Sequence, residues 1–404
     1  MIKTPTSERI KIVIFGKRNS GKSSLINNIA QKDIAIISNI PGTTTDPVNY
    51  TMELAQLGPV VFIDTAGIDD VGDLGNLRVK KTIEKLNIAD LCIFVTSAHE
   101  NISEIEIKFF NEIKQKKPVF VVFTFYNGFI HPSKNFLKNE NHVMVDNIKG
   151  YGAFELREKI ISMKNLIETE PGLLEGLFDK NDFVILVTPI DTAAPKGRLI
   201  LPQVEAIREL LDNDCGVLVL KENELEYFYD NIGIKPKIVI TDSQAFGKVS
   251  TVIPPEQKLT SFSILMAKKK GDLIPFIESL KSFEKLKPNS NILILEACSH
   301  HKQKDDIGSV KIPEFVKKKV QKEVRFEWKK QITDPSQIEG FDGIIMCGGC
   351  MTSRNQYLNT QKMIKDLNIP MLNYGLFLAW AFGLLPRAIE IFPEIYEKYC
   401  SIMK

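Results

Sequence analysis

The stretch IKIVIFGKRNSGKSSLINNIA, residues 10–30, restricts the folds open to this chain more than any other segment. An apolar run ends on Gly16 and passes straight into Lys17-Arg18-Asn19-Ser20-Gly21-Lys22-Ser23, which completes the pattern G-x-x-x-x-G-K-S/T. A strand before the pattern and the helix-like LINNIAQ after it supply the context in which it functions. The glycines free backbone N–H groups to surround a phosphate, and the start of the helix adds its dipole. Gly16, Asn19, Ser20, Gly21, Lys22, Ser23 and Ser24 are therefore the candidate phosphate-binding residues. Lys22 is placed to reach β- and γ-phosphates, and the Ser23 hydroxyl to bind Mg2+.

Two further segments extend this site. VVFIDTAG (60–67) reads as a buried strand ending at Asp64, a carboxylate suited to holding Mg2+ through water, followed by Gly67, whose N–H can meet a γ-phosphate. Between them NIPGTTTDP (39–47) is polar and turn-rich, as a switch loop should be, and 67–76 forms a second candidate switch. The chain then alternates ADLCIFVTS, EIEIKFFNEIKQ, PVFVVFT, HVMVDN and AFELREKIISM. Strand and helix patterns in that order predict an α/β domain over 1–168 built on a mainly parallel sheet.

G-x-x-x-x-G-K-S with PGTTTD and DTAG resembles the translation-factor-like branch of small GTPases, the TrmE-Era-like group of tRNA-modification and ribosome-assembly GTPases. The resemblance implies a Ras-like domain that binds GTP with Mg2+ and hydrolyses it. Lys22, Thr44 and Gly67 are its catalytic positions and Thr44 is the switch-I Mg2+ ligand. Asn19 matches an asparagine that binds K+ in this branch, an ion that supplies positive charge in place of an arginine finger. The chain then departs from the pattern. After the strand 118–124 the family carries N-K-x-D, whose aspartate grips guanine, whereas here Thr124, Phe125, Tyr126 and Asn127 follow. The later S-A-x motif reads Val145-Asp146-Asn147. Weakened guanine selectivity is the expectation.

At 404 residues the chain exceeds one ordinary core, so two or three domains are expected. A formal charge of +2 gives no reason to expect nucleic-acid binding, and the runs Lys268–Lys270 and Lys317–Lys319 read as solvated faces. The start of the chain shows no signal-peptide pattern. The longest apolar run, Tyr374–Pro386, falls short of the ~20 residues that span a bilayer. The expected location is cytoplasmic, with no membrane association. In that reducing compartment six cysteines favour metal or catalytic use over a disulfide framework. Cys92 and Cys215 lie in or beside apolar runs and read as core thiols, and Cys400, near the end of the chain, as incidental.

From Pro171 the pattern restarts with FVILVTPID, LPQVEAIRELLD, GVLVL and KIVITDSQ, a βα-repeating unit over 171–258 without a catalytic constellation. Asp191 and Asp242 stand at its strand ends as caps or turn formers, and a dimerisation or interaction role is the default reading. Pro254 and Pro255 mark the next boundary, placing a third α/β domain with parallel strands at 259–404. There NILILEACSHH and FDGIIMCGGCM share one design, a buried strand that runs onto cysteine. If the two strands are neighbours, Cys298, Cys347 and Cys350 meet in the crevice beyond their carboxyl ends. Three thiolates suit an iron–sulfur cluster with one iron incompletely held by protein. Zinc, a C-x-x-C redox pair and a plain turn are the competing readings. His300, His301 and, less readily, Glu296 are candidates for a fourth ligand.

A GTPase-like domain, a plain middle unit, and C-x-H followed by C-G-G-C together resemble the HydF family, the maturation GTPases of [FeFe]-hydrogenases. The resemblance covers the whole chain and implies a [4Fe-4S] cluster on Cys298, Cys347 and Cys350, with His300 raised as fourth ligand. It also implies a homodimer through the middle domain and a scaffold that carries a diiron precursor. The implied partners are apo-[FeFe]-hydrogenase and the radical-SAM maturases, with no nucleic acid. Family members commonly have histidine before C-G-G-C, where this chain has Met346. The competing function is a redox-regulated switch GTPase using Cys347 and Cys350 as a disulfide pair. An RNA-modification GTPase is a third alternative, although no folate-type domain or basic patch accompanies the motifs.

Overall fold

The computed structural model describes residues 9–30, 48–54, 57–70, 73–167, 170–189, 199–297, 307–320 and 323–403. Thr44 and the loop 39–47, residues 71–72 of the second switch, Asp191, Cys298, His300 and His301 lie outside the described residues. The chain divides into two compact units, Met1–Thr169 and Glu170–Lys404.

In the first unit the strands are β1 (Ile10–Gly16), β2 (Val48–Leu54), β3 (Gly58–Asp64), β4 (Leu91–Ser97), β5 (Val119–Thr124) and β6 (His142–Met144). They form one sheet in the order β2-β3-β1-β4-β5-β6, parallel except for the antiparallel edge strand β2. Helices on both faces explain why the central strands are continuously apolar. Ile12 and Ile14 pack with Leu25 and Ile29 of the helix Lys22–Ala30 and Leu156 of Ala153–Ser162. Val13 and Phe15, one residue out of phase, face Leu86 of Asp73–Asn87 and Phe110 of Glu104–Lys114. The latter helix starts at a reciprocal cap, in which Ser103 Oγ accepts from Glu106 N and the Glu106 carboxylate from Ser103 N.

The second unit holds two parallel sheets. One comprises β7 (Phe183–Val187), β8 (Gly216–Leu220), β9 (Ile238–Thr241) and β10 (Leu259–Ser261), ordered β10-β9-β7-β8. The other comprises β11 (Asn291–Leu295), β12 (Arg325–Lys329), β13 (Gly343–Met346) and β14 (Met371–Asn373), ordered β12-β11-β13-β14. One buried cluster runs through both, from Val184 and Ile240 to Ile294 and Ile345. Residues 259–261 complete the first of these sheets, and the chain then enters the helix Phe262–Lys270 directly from Ser261, whose hydroxyl accepts from Ile264 N.

That helix overturns the reading of Lys268–Lys270 as a solvated face. Lys269 and Lys270 are buried, Lys270 to 1% exposure. Lys270 Nζ lies 2.6 Å from Glu170 Oε2, and Lys269 pairs with Glu205. Glu170 also accepts from the backbone N–H of Arg354, so one carboxylate ties the start of this unit to two of its helices. A run of lysines signals solvent only until acidic partners distant in sequence are brought against it. Removing one partner strands the other in a partly desolvated place. Lys270→Ala is therefore expected to destabilise the second unit by about 2–4 kcal/mol, read as a lower urea midpoint with unchanged m. An unchanged midpoint would show the pair to be idle.

Candidate nucleotide site and cysteine crevice

The carboxyl ends of β1 and β3 lie side by side, with Ile14 opposite Asp64, and this brings the P-loop and DTAG together. Lys22 is 8% exposed and Asp64 2%. Lys22 Nζ donates to the carbonyls of Gly16 (3.1 Å) and Lys17 (2.7 Å), so the cation is held inside its own loop. Burial pushes its pKa down, and Asp64, Asp69 and Asp70 partly offset this. Ser23 Oγ donates to Asp64 Oδ2 at 2.6 Å. Burial pushes the Asp64 carboxyl above its usual range, opposed by the Ser23 hydrogen bond and by Lys22.

Asp64 Oδ1 is buried with no hydrogen-bond partner among the described residues. An ionised oxygen left thus is costly, and a divalent cation would relieve it. The donor set therefore fits Mg2+, with the Ser23 hydroxyl and Asp64 on the side where it would be held. Magnesium bound there supplies charge neutralisation for the phosphates.

Gly67 stands against the P-loop, where an added Cβ would lie 2.3 Å from Arg18 Cγ. Ile68 N donates to Gly16 O, closing the two loops on each other. Asn19 is exposed in a left-handed conformation, φ 56°, that asparagine tolerates. Sequence reasoning missed the ionic cluster around these loops. Asp69 Oδ1 accepts from Arg18 N at 2.7 Å, Arg18 Nε lies 3.1 Å from Asp70 Oδ1, and Arg78 Nη1 lies 3.4 Å from Asp70 Oδ2. The adjacent acids that follow DTAGI were its visible signal.

At the other end of the site, Thr124 Oγ1 donates to Ser20 O at 2.6 Å and Asn147 Nδ2 to Gly21 O at 3.2 Å. The residues standing in place of N-K-x-D and S-A-x thus tie their loops to the P-loop. Ser24 lies in the first turn of the helix that starts at Lys22.

In the second unit β11 and β13 are neighbours, with Leu295 opposite Met346. Beyond them Cys347 N donates to Leu295 O at 2.9 Å, and Ala297 N donates to Cys347 Sγ at 3.4 Å. Cys298 is the next residue in sequence. Cys347 is 9% exposed and Cys350 is half-buried in the turn that leads to the helix Arg354–Asp366. A crevice lined by Leu295, Ala297, Met346, Cys347, Gly349 and Tyr357 opens above these strand ends. Tyr357 is buried, and burial together with the neighbouring Cys347 sulfur pushes its phenol pKa up. Gly349 adopts φ 72°, and a Cβ there would fall 2.6 Å from the Tyr357 ring.

The Glu296 carboxylate lies toward Gly308 and the Tyr374 hydroxyl, since a Cβ on Gly308 would come within 2.9 Å of Glu296 Oε2 and 2.4 Å of that hydroxyl. Among the described residues no three His, Cys, Asp or Glu side chains converge to hold a metal. Cys92 and Cys215 are buried, and burial lifts the Cys92 thiol to about 12.

Three family models match the chain. The 50S ribosome-binding GTPase model covers residues 11–125, the hydrogen maturase F dimerization domain 173–271, and the hydrogen maturase F tetramerization domain 275–391. With the site geometry, the first match makes the amino-terminal unit a P-loop GTPase domain. The other two assign the remainder, and the chain belongs to the hydrogen maturase F (HydF) family, GTP-binding factors of hydrogenase maturation.

The tRNA modification GTPase MnmE of Aquifex aeolicus (strain VF5) is 36% identical over 155 residues, 38% of this chain and 34% of the relative. That of Clostridioides difficile (strain 630) is 34% identical over 162 residues, 39% and 35% of the two chains. The chain thus spans about a third of the length of these relatives. A solved structure of Era in complex with MgGDPNP and nucleotides 1506–1542 of 16S ribosomal RNA is 29% identical, covering 41% of this chain and 59% of that one, with a TM-score of 0.35. Among the described residues no helix is long and apolar enough to cross a membrane.

Two outcomes follow from this geometry. Asp64→Asn should abolish the rise in melting temperature that Mg2+ with GTP gives the first unit. In the wild type the Mg2+ requirement should grow as pH falls from neutral, because a raised carboxyl pKa means that protons compete for Asp64. A pH-independent Mg2+ requirement would remove Asp64 from the metal site. Separately, Gly349→Ala should cost about 1–3 kcal/mol in urea unfolding, whereas Gly348→Ala, with its nearest atom 3.4 Å away, should be tolerated.

Proposed function

We propose that this chain binds and hydrolyses GTP in its first unit and carries a [4Fe-4S] cluster in its second, serving as scaffold and carrier of the diiron precursor for apo-[FeFe]-hydrogenase. The observation that carries the reading is the pairing of β11 with β13. It sets Cys347 beside the segment that leads to Cys298 and gives the Cys347 sulfur a backbone N–H donor from Ala297. Buried sulfur with an amide donor beneath an open crevice suits a cluster held by Cys298, Cys347 and Cys350, with His300 as candidate fourth ligand. Such a cluster supplies an exchangeable iron position at which cargo can be held and released. Met346, 4% exposed at the end of β13, fills the position before C-G-G-C with an apolar side chain.

The division of labour follows three parts, 1–168, 171–261 (whose sheet residues 259–261 complete) and 262–404, which switch, pair and carry. Within the middle part β8 ends its sheet, with Val219 38% exposed, and nearby Leu211 is 58% exposed. An apolar edge strand of this kind favours pairing with a second copy. In the first part Lys22 and Ser23 take the phosphates and Mg2+, Thr44 closes from switch I, and Gly67 senses the γ-phosphate. Asn19 is the candidate K+ ligand. Radical-SAM maturases are the partners from which the cargo would come, in the cytoplasm.

The deciding measurement is iron and acid-labile sulfide after anaerobic reconstitution. About four irons per chain, lost in Cys298→Ser and Cys347→Ser, is the expected result. No iron, with a reversible Cys347–Cys350 disulfide, would replace it with the redox-switch reading. Lys22→Ala should lower GTP hydrolysis on the order of a hundredfold or more, followed by phosphate release, with the cluster intact. If that variant still matured hydrogenase at the normal rate, hydrolysis would be uncoupled from delivery.

A further inference from the structure

The base end of the nucleotide site has a construction of its own. Thr124 and Asn147 fasten the end of β5 and the loop after β6 to the carbonyls of Ser20 and Gly21, so residues 124–128 and 145–151 flank the P-loop. Asp146 is the acidic residue of these two segments. Its Oδ1 accepts from Ile148 N (3.0 Å) and Lys149 N (3.3 Å), its N–H is given to Tyr151 O (3.1 Å), and Lys149 Nζ lies 3.8 Å from Oδ2. This carboxylate closes its own turn.

Phe125 has φ 54°. The other non-glycine residues with positive φ among the described residues are all asparagine or aspartate, which bear that conformation at little cost. An aromatic residue there is strained, and strain of this kind persists where the surroundings enforce it, commonly at ligand sites. Here Phe125 O accepts from His99 Nε2 at 2.7 Å and Tyr126 N donates to Val145 O. The Tyr126 ring lies over Tyr151 at 6.5 Å and 25°. The loop is thus fixed in shape, bears aromatic rings, and ends in the exposed carboxamide of Asn127.

We infer that this site holds purine nucleoside triphosphates through their phosphates and by stacking, with the Asn127 carboxamide facing the base edge, and does not select guanine. The inference rests on the nucleotide-binding reading of the first unit. Guanine offers two adjacent donors, N1–H and the 2-amino group, which a carboxylate meets with two acceptor oxygens. A carboxamide has one acceptor oxygen and one donor NH2, leaving one guanine donor unmet. The same carboxamide matches adenine, which offers a ring acceptor beside an amino donor, and hypoxanthine, which offers a carbonyl acceptor beside a ring N–H. Stacking does not distinguish these bases. A site built to pair a polar edge rejects the wrong partner by roughly 10⁴-fold, and that discrimination needs the matched pair of acceptors.

The test is calorimetric titration of the full chain with Mg2+ and GTP, ATP or ITP, together with kcat/KM for each. ATP and ITP are expected within about tenfold of GTP on both measures. Asn127→Asp should raise the GTP-to-ATP ratio by at least about a hundredfold, while Asp146→Asn leaves it unchanged. A wild-type preference for GTP of about a hundredfold or more would overturn the inference, and a preference that collapses in Asp146→Asn would make that residue the reader of guanine. Far-ultraviolet circular dichroism of each variant separates altered selectivity from misfolding. Failure of the underlying reading looks different, since no triphosphate of any base would then bind in a manner sensitive to Lys22→Ala.

Discussion

Everything in the amino-terminal unit depends on two opposite charges forced under the surface at the ends of adjacent strands. Lys22 and Asp64 are both nearly inaccessible, and burial shifts each away from its ionised form. The protein spends loop carbonyls on the cation and one serine hydroxyl on the carboxylate, and leaves Asp64 Oδ1 with no hydrogen-bond partner among the described residues. An unliganded loop of this kind is electrostatically unfinished. Phosphate at the lysine and a divalent cation at the aspartate would recover the cost of burying both. The apolar strands β1 and β3 hold the pair in register.

The same economy shapes the second unit. There too the reactive groups sit just past the carboxyl ends of parallel strands, where backbone N–H groups point outward from the sheet. Ala297 N–H on the Cys347 sulfur is one such group. Tyr357 packs against Gly349 so closely that a side chain at 349 would collide with it, which fixes the turn between the two cysteines. The crevice is therefore shaped by an aromatic wall from the following helix as much as by the cysteine motif.

Much of this was legible in the sequence, and the reasons for what was not are specific. The P-loop, Asp64 and the two cysteine-bearing strands announce themselves because their chemistry depends on local spacing, which a sequence preserves. The adjacency of β11 and β13 was a conditional expectation, since the order of strands in a sheet depends on crossover connections that periodicity does not encode. Lys269 and Lys270 misled because solvent exposure was inferred from a charge run, whereas Glu170 and Glu205, 100 and 64 residues away, pull it inside. Tyr357 escaped notice for the same reason. Its role is set by a left-handed glycine and not by any motif.

Arg18 shows how a residue with no expected role can tie two loops together. Its backbone N–H and guanidinium hold Asp69 and Asp70, and Asp70 in turn holds Arg78 on the helix Asp73–Asn87. The two carboxylates also act electrostatically on Lys22. A γ-phosphate bound at this loop would introduce negative charge among groups that already balance one another. It would compete with Asp69 and Asp70 for Arg18 and Lys22, and would repel both acids. With the arginine already in the loop, one group joins the P-loop to both acids and, through Asp70 and Arg78, to that helix within a single layer of contacts.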